Sequence, residues 1–194
     1  MKTLLFKPFE RYQESHLLSV GIMALILGSF VGSVLNARFD GVLDLHFGLA
    51  VSFYTVLMDN VINVISLFIP LFIVGKIINT QTRFIDLMNV ILISRIPYFL
   101  LPLLNISGVI TKATQDLMPL VDNPFGTDQI SMDTYFIVTG FAVVSIGAMV
   151  WAIALLYQGF KVSVNLKNKI HIIWLGLAIL VAEIISKLLI VKFN

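Results

Sequence analysis

The chain has 194 residues, of which 58% are hydrophobic and 12% charged, with a mean hydropathy of +0.97 and a net charge of +2. A soluble domain carries about 25% charged residues, so the surplus apolar surface belongs in lipid and leaves no room for a separate soluble domain. The small, dispersed positive charge excludes a nucleic-acid footprint, and the absence of cysteine excludes disulfides and thiolate chemistry.

Residues 1–16 are charged and aromatic. Pro8 suits the first position of a short helix, which would place Phe9, Tyr12 and His16 on one face beside Lys7 and Arg11. This reads as an interfacial anchor rather than a cleaved signal peptide, because the apolar run that follows is long enough to stay in the membrane. That run, 17–35, is the first span. Gly21, Gly28 and Gly32 lie along one ridge of it, and small residues let a second helix approach closely. The ridge serves packing within the chain or a dimer face, and packing within the chain is the simpler reading.

Residues 36–52 form a loop with Arg38, Asp40, Asp44 and His46. Their spacing matches no metal motif, and the loop is expected to be solvated and partly interfacial. The second span, 53–78, ends in a basic turn with Lys76 and Arg83. The third, 84–104, holds Pro97 and Pro102, each of which frees backbone carbonyls and bends a helix. Residues 105–133 are acidic. Val109, Ala113, Leu117 and Leu120 have helical spacing there, and a turn is expected over 122–126. The Asn105-Ile106-Ser107 sequon abuts the third span and is taken as chance. The fourth span, 134–157, carries Gly140 and Gly147 and leads into a basic stretch, 158–169. The fifth runs over 170–191.

The fold class is therefore all-α: a polytopic membrane helix bundle with five transmembrane helices in a single membrane domain, 1–194. Eight lysines and arginines fall on the N-terminal side of this arrangement, and Arg38, Lys112 and Lys192 fall opposite. The positive-inside rule then places the N-terminus in and the C-terminus out.

The second and third spans make a hairpin whose apolar helices hold ionisable groups. Asp59, Asn63 and Ser66 form one polar stripe, and Arg95 lies near the midplane. Glu183 sits on the fifth span near the expected depth of Asp59, with Lys187 one turn on. Such groups are costly in hydrocarbon and face protein or water. The expectation is a buried cluster of Asp59, Arg95 and Glu183 with Lys187 at its rim. It would either fix helix packing or line a path for an ion or solute. Asp86 and Asn89 are expected at the interface.

No phosphate-binding glycine loop, His-Glu-x-x-His or Gly-x-Ser-x-Gly pattern occurs. His16, His46 and His171 lie in separate segments, with His46 across the membrane from the other two. An enzyme is not expected, nor a cofactor.

The Lys7-Pro8-Phe9-Glu10 run and the long segment after the third span fit a known pattern. Ser94-Arg95-Ile96-Pro97-Tyr98 with Leu101-Pro102-Leu103, and Trp151 followed by Leu155-Leu156-Tyr157-Gln158-Gly159-Phe160-Lys161, complete it. With these, the chain resembles the Ypt-interacting-protein (YIP) domain family of five-span membrane proteins. Eukaryotic members carry a cytosolic N-terminal region and are linked to Rab-type GTPases. Here only 16 residues precede the first span, so GTPase binding is not carried over. The resemblance to the short prokaryotic members implies membrane residence, in a bacterial inner (cytoplasmic) membrane, with activity open. The expected function is a membrane scaffold or partner-binding protein. Its partners would be the lipid bilayer and a second copy or another membrane protein, met through the glycine ridge and the basic turns. The alternative is a small transporter or channel component using Asp59, Arg95 and Glu183.

Overall fold

The computed structural model describes residues 7–48, 50–122, 131–168 and 170–193. Among these, five helices are long and apolar enough to cross a membrane. They are α1 (Glu14–Val34), α2 (Phe53–Ile78), a broken third span (Phe84–Asn105), α6 (Met132–Ser163) and α7 (His171–Phe193). The third span consists of α3 (Phe84–Ser94), α4 (Ile96–Leu100) and a 3-10 turn over Leu101–Asn105. A shorter helix, α5 (Val109–Asp122), follows it. Two strands of two residues, β1 (Ala37–Arg38) and β2 (His46–Phe47), pair antiparallel with Ala37 opposite Phe47. The turn expected over 122–126 lies outside the described residues beyond Asp122.

Helix faces follow the sequence pattern. On α2, Ile65, Ile69, Ile73 and Ile77 are exposed at four-residue intervals, one stripe of a 3.6-residue helix turned to lipid. The opposite face, with Asp59, Asn60, Asn63 and Ser66, is fully buried. The bundle is thus polar inward and apolar outward along this helix, as hydrocarbon solvent requires.

The third span is the hub. Its most apolar window is 72% buried, against 6% for α6. It packs on α1, α2 and α6, while α7 packs on α2. Its break falls at Arg95 because Pro97 has no amide proton to donate. The chain resumes with Tyr98 N–H donating to the Arg95 carbonyl at 3.0 Å.

The glycine ridge of α1 meets this hub inside the chain. An added Cβ at Gly21 would lie 2.6 Å from Leu92 Cβ, and at Gly28 2.4 Å from Phe99 Cγ. Gly32 faces Phe39 and Val56. The ridge is filled by the chain itself and offers no dimer face.

Two boundaries differ from expectation. The fourth helix runs to Ser163 through the stretch taken for a basic loop. Gly159 does not stop it, because that glycine is where Val90 and Phe9 pack against α6. At the N-terminus, Pro8 opens only a 3-10 turn, Pro8–Glu10, and α1 starts at Glu14. The acidic segment does form a helix, α5, with Ile110 and Ala113 buried. Asn105 of the sequon is buried and caps α5. Its Oδ1 accepts from Ile110 N–H and Thr111 N–H at 3.0 and 3.1 Å, and its Nδ2 donates to the Leu35 carbonyl at 3.0 Å.

Because overpacking a filled contact costs about 1–3 kcal/mol, Gly28→Val should lower the melting temperature in detergent. Gly140→Val should not, since nothing lies within 4 Å of that position. Equal melting of both variants and the parent would show that α1 does not pack on Phe99 as described.

Candidate functional site at the loop end of the bundle

The loop between α1 and α2 does not stay at the surface. Ala37, Phe39, Val42 and Phe47 are buried, and the Phe39 ring meets Phe99 edge-on at 5.7 Å. The expectation of a solvated loop is corrected. Asp40, Asp44 and His46 stay at least partly exposed and Arg38 turns in toward α2, while the apolar residues interleaved with them enter the bundle. A buried backbone without regular structure must find hydrogen-bond partners among side chains.

Those partners are the polar groups of the spans. Asn63 Nδ2 donates to the Phe39 carbonyl at 2.7 Å. Arg95 Nη1 donates to the Val42 carbonyl at 2.9 Å. Val42 N–H donates to Ser186 Oγ at 3.2 Å, and Leu43 N–H donates to Glu183 Oε2 at 2.7 Å. Side chains from three spans thus converge on the five residues 39–43. Gly41 permits the closest approach: an added Cβ would sit 2.6 Å from Glu183 Oε1.

The expected cluster is accordingly rearranged. Asp59 does not pair with Arg95. It accepts two hydrogen bonds from Arg38, at 3.1 Å from Nε and 3.1 Å from Nη2. This forked geometry is the strong form of the arginine–carboxylate pair. Arg38 also lies 3.6 Å from Asp40, which pairs with His46. Glu183 lies 3.4 Å from Lys187, and Lys187 reaches Asp44 at 2.9 Å. Asp59 and Glu183 are therefore paired with cations other than Arg95, and among the described residues Arg95 bonds neutral oxygens, the Val42 carbonyl and Asn60 Oδ1 at 3.4 Å. The cation for Asp59 comes from the loop, a partner that a helix-by-helix reading overlooks. The signal in the sequence is Arg38 itself, a cation on the same side of the membrane as the near end of α2.

Arg95 is 2% exposed and stacks near Tyr98 and Phe99, its guanidinium carbon 5.6 and 5.8 Å from their ring centres. Its Nε and the Tyr98 hydroxyl have no hydrogen-bond partner among the described residues. Both residues line a void of about 20 Å³ between α6 and α7.

At the other end of the bundle Arg83 bonds Asp86 at 2.7 Å and also pairs with Glu14. Asn89 is buried there, not interfacial, and its Nδ2 donates to the Glu14 carbonyl at 3.0 Å. These contacts tie the start of α1 to α3. Among the described residues no group of three or more His, Asp or Glu side chains is gathered as a metal would need.

Outside the spans, Arg83 is raised by its hydrogen bonds to Asp86 and Glu14, and two groups of the loop, Asp40 and His46, also have shifted proton affinities. For Asp40, partial burial opposes ionisation, but the hydrogen bond from His46 and the nearby Arg38 outweigh it and hold the carboxyl below its usual value. His46 is raised above 6.5, chiefly by its hydrogen bond to Asp40, with burial opposing.

Comparison with family models, with curated proteins and with solved structures finds no match to this chain.

Two outcomes follow from the geometry. Arg38→Met removes the forked partner of a fully buried carboxylate and should destabilise the bundle by about 3 kcal/mol. Arg38→Met with Asp59→Leu should recover part of that loss, read as urea or thermal unfolding in detergent. The His46–Asp40 pair carries a pH signature. A raised folded pKa adds stability that is complete below the unfolded histidine value and is lost as pH rises through the folded one. Melting should therefore fall above about pH 6.5, by no more than about 1 kcal/mol for so exposed a pair. His46→Gln should remove that step; a step that persists would place the titration elsewhere.

Proposed function

We propose that this multi-pass membrane protein is a non-enzymatic scaffold that presents the lipid-facing side of α6 to the helix of a second copy. One observation carries the reading. The ionisable groups within the spans are engaged in holding residues 38–44, not arranged along an open path. The void beside Arg95 measures about 20 Å³, room for about one water molecule. A solute pathway is thus the less supported alternative.

The docking face is argued from α6. At 32 residues it is about 48 Å long, well beyond a hydrocarbon core of about 30 Å. Tyr135, Phe136, Val143, Val144, Ile146 and Val150 are exposed along it. Gly140 and Gly147, seven residues apart and so on one face, have open space where a side chain would be. Small residues on an open face allow close helix approach in lipid, and two copies related by a twofold axis bring the same residues together. The glycine ridge of α1 is spent inside the chain and takes no part.

The same proposal sets the N-terminal end, with Lys7, Arg11, Lys76, Arg83, Lys161 and Lys167, toward the cytoplasm. The resemblance to the short prokaryotic YIP members, and with it residence in a bacterial cytoplasmic membrane, belongs to this reading.

The test uses a chain that has no cysteine of its own. Val144→Cys should form a disulfide-linked dimer under mild oxidation in membranes, and Val181→Cys on α7 should not. Adding Gly140→Ile and Gly147→Ile should abolish the cross-link without lowering the melting temperature. Equal cross-linking at both cysteines, or none at either, would contradict the reading.

A further inference from the structure

A buried cation in a membrane interior normally lies against an acid or an open water path, because hydrocarbon neither solvates it nor screens it. Arg95 does neither. Its guanidinium is permanently charged, yet its hydrogen-bond partners among the described residues are two neutral oxygens, on Val42 and Asn60. The nearest span carboxylate, Glu183, is occupied by Leu43 N–H and Lys187. Arg95 Nε is left without an acceptor, and so is the neighbouring Tyr98 hydroxyl. Both side chains are more than nine-tenths buried.

These two unused donors belong to residues that line one void, of about 20 Å³. Ser94 also lines it, but its hydroxyl already donates to the Ile91 carbonyl at 2.8 Å. The other side chains of the wall are apolar: Val42 and Leu43 of the loop, Leu67 of α2, Ala152, Ile153 and Leu156 of α6, Ile179 of α7. No acidic side chain contributes to it. The space is thus water-sized and bordered by a cation and by two residues with an unused donor each.

We infer that Arg95 and Tyr98 form an intramembrane binding site for a single small monovalent anion of the halide class. The size of the void decides the class. About one water-sized sphere fits, which excludes a phosphate, a carboxylate or a lipid headgroup. The apolar remainder of the wall suits a weakly hydrated monatomic ion. A neutral water would satisfy the two donors in part, but would bring no negative charge nearer the guanidinium than Glu183, which already serves Leu43 N–H and Lys187. The inference does not rest on the scaffold reading, since the site lies inside one chain.

The probe is bromide, with chloride as its companion, on the purified full chain. Crystals or oriented samples in sodium bromide should give an anomalous bromide signal beside Arg95 Nε. In detergent the melting temperature should rise with chloride or bromide, relative to gluconate at equal ionic strength, and saturate as binding to the folded state requires. Tyr98→Phe removes only the unpartnered hydroxyl, so it should fold as the parent does and lose most of that rise. An absent bromide signal with anion-independent melting would mean that the void holds water alone. A rise that Tyr98→Phe leaves intact would place the effect at some other site. Either result overturns the inference.

Discussion

A peptide group buried inside a helix bundle has no water to bond, and a chain that leaves regular structure there must be supplied with donors and acceptors by its neighbours. Residues 39–43 impose that requirement on the whole bundle. Asn63 from α2, Arg95 from the third span, and Glu183 and Ser186 from α7 each bond one of their backbone groups. These four polar residues, which look out of place in the spans, are positioned by this need. Their depth, their helix face and their chemistry, donors for carbonyls and acceptors for amides, all follow from it.

The same loop explains why the hub is broken where it is. Arg95 occupies the break ahead of Pro97, so its side chain leaves the helix at the level of the Val42 carbonyl. Phe99, one turn on, fits between Gly28 of α1 and the buried Phe39 ring of the loop. Loop, break and glycine ridge are therefore one packing arrangement. A larger residue at Gly28 and a lost donor at Arg95 disturb the same contact from two sides.

The five spans were legible in the sequence because lipid imposes a one-dimensional signal, length and hydropathy, that needs no knowledge of partners. The inward stripe on α2 was legible for a similar reason, since Asp59, Asn63 and Ser66 repeat at helical spacing. The partners of that stripe were not. Composition made the loop look solvated: Arg38, Asp40, Asp44 and His46 dominate it, and Phe39, Val42 and Phe47 alternate among them without a period. Asp59 was matched with Arg95 because both lie on helices, yet the cation it needs sits 21 residues upstream, in the loop. Gly41 was the quieter sign, a residue without a side chain where Glu183 must reach backbone. The end of α6 was placed at 157 because a basic stretch follows, yet the helix continues through Gly159, which admits Val90 and Phe9.

The burial of the loop is the claim on which the rest depends, and single cysteines test it directly in a chain that otherwise has none. Val42→Cys and Ala50→Cys would be labelled in membranes with a membrane-impermeant maleimide applied from the loop side. Val42 is buried and Ala50 exposed. The account predicts that Ala50→Cys labels readily and Val42→Cys resists until Asn63→Leu releases the loop. Labelling of Val42→Cys in the otherwise unaltered chain as fast as Ala50→Cys would contradict it.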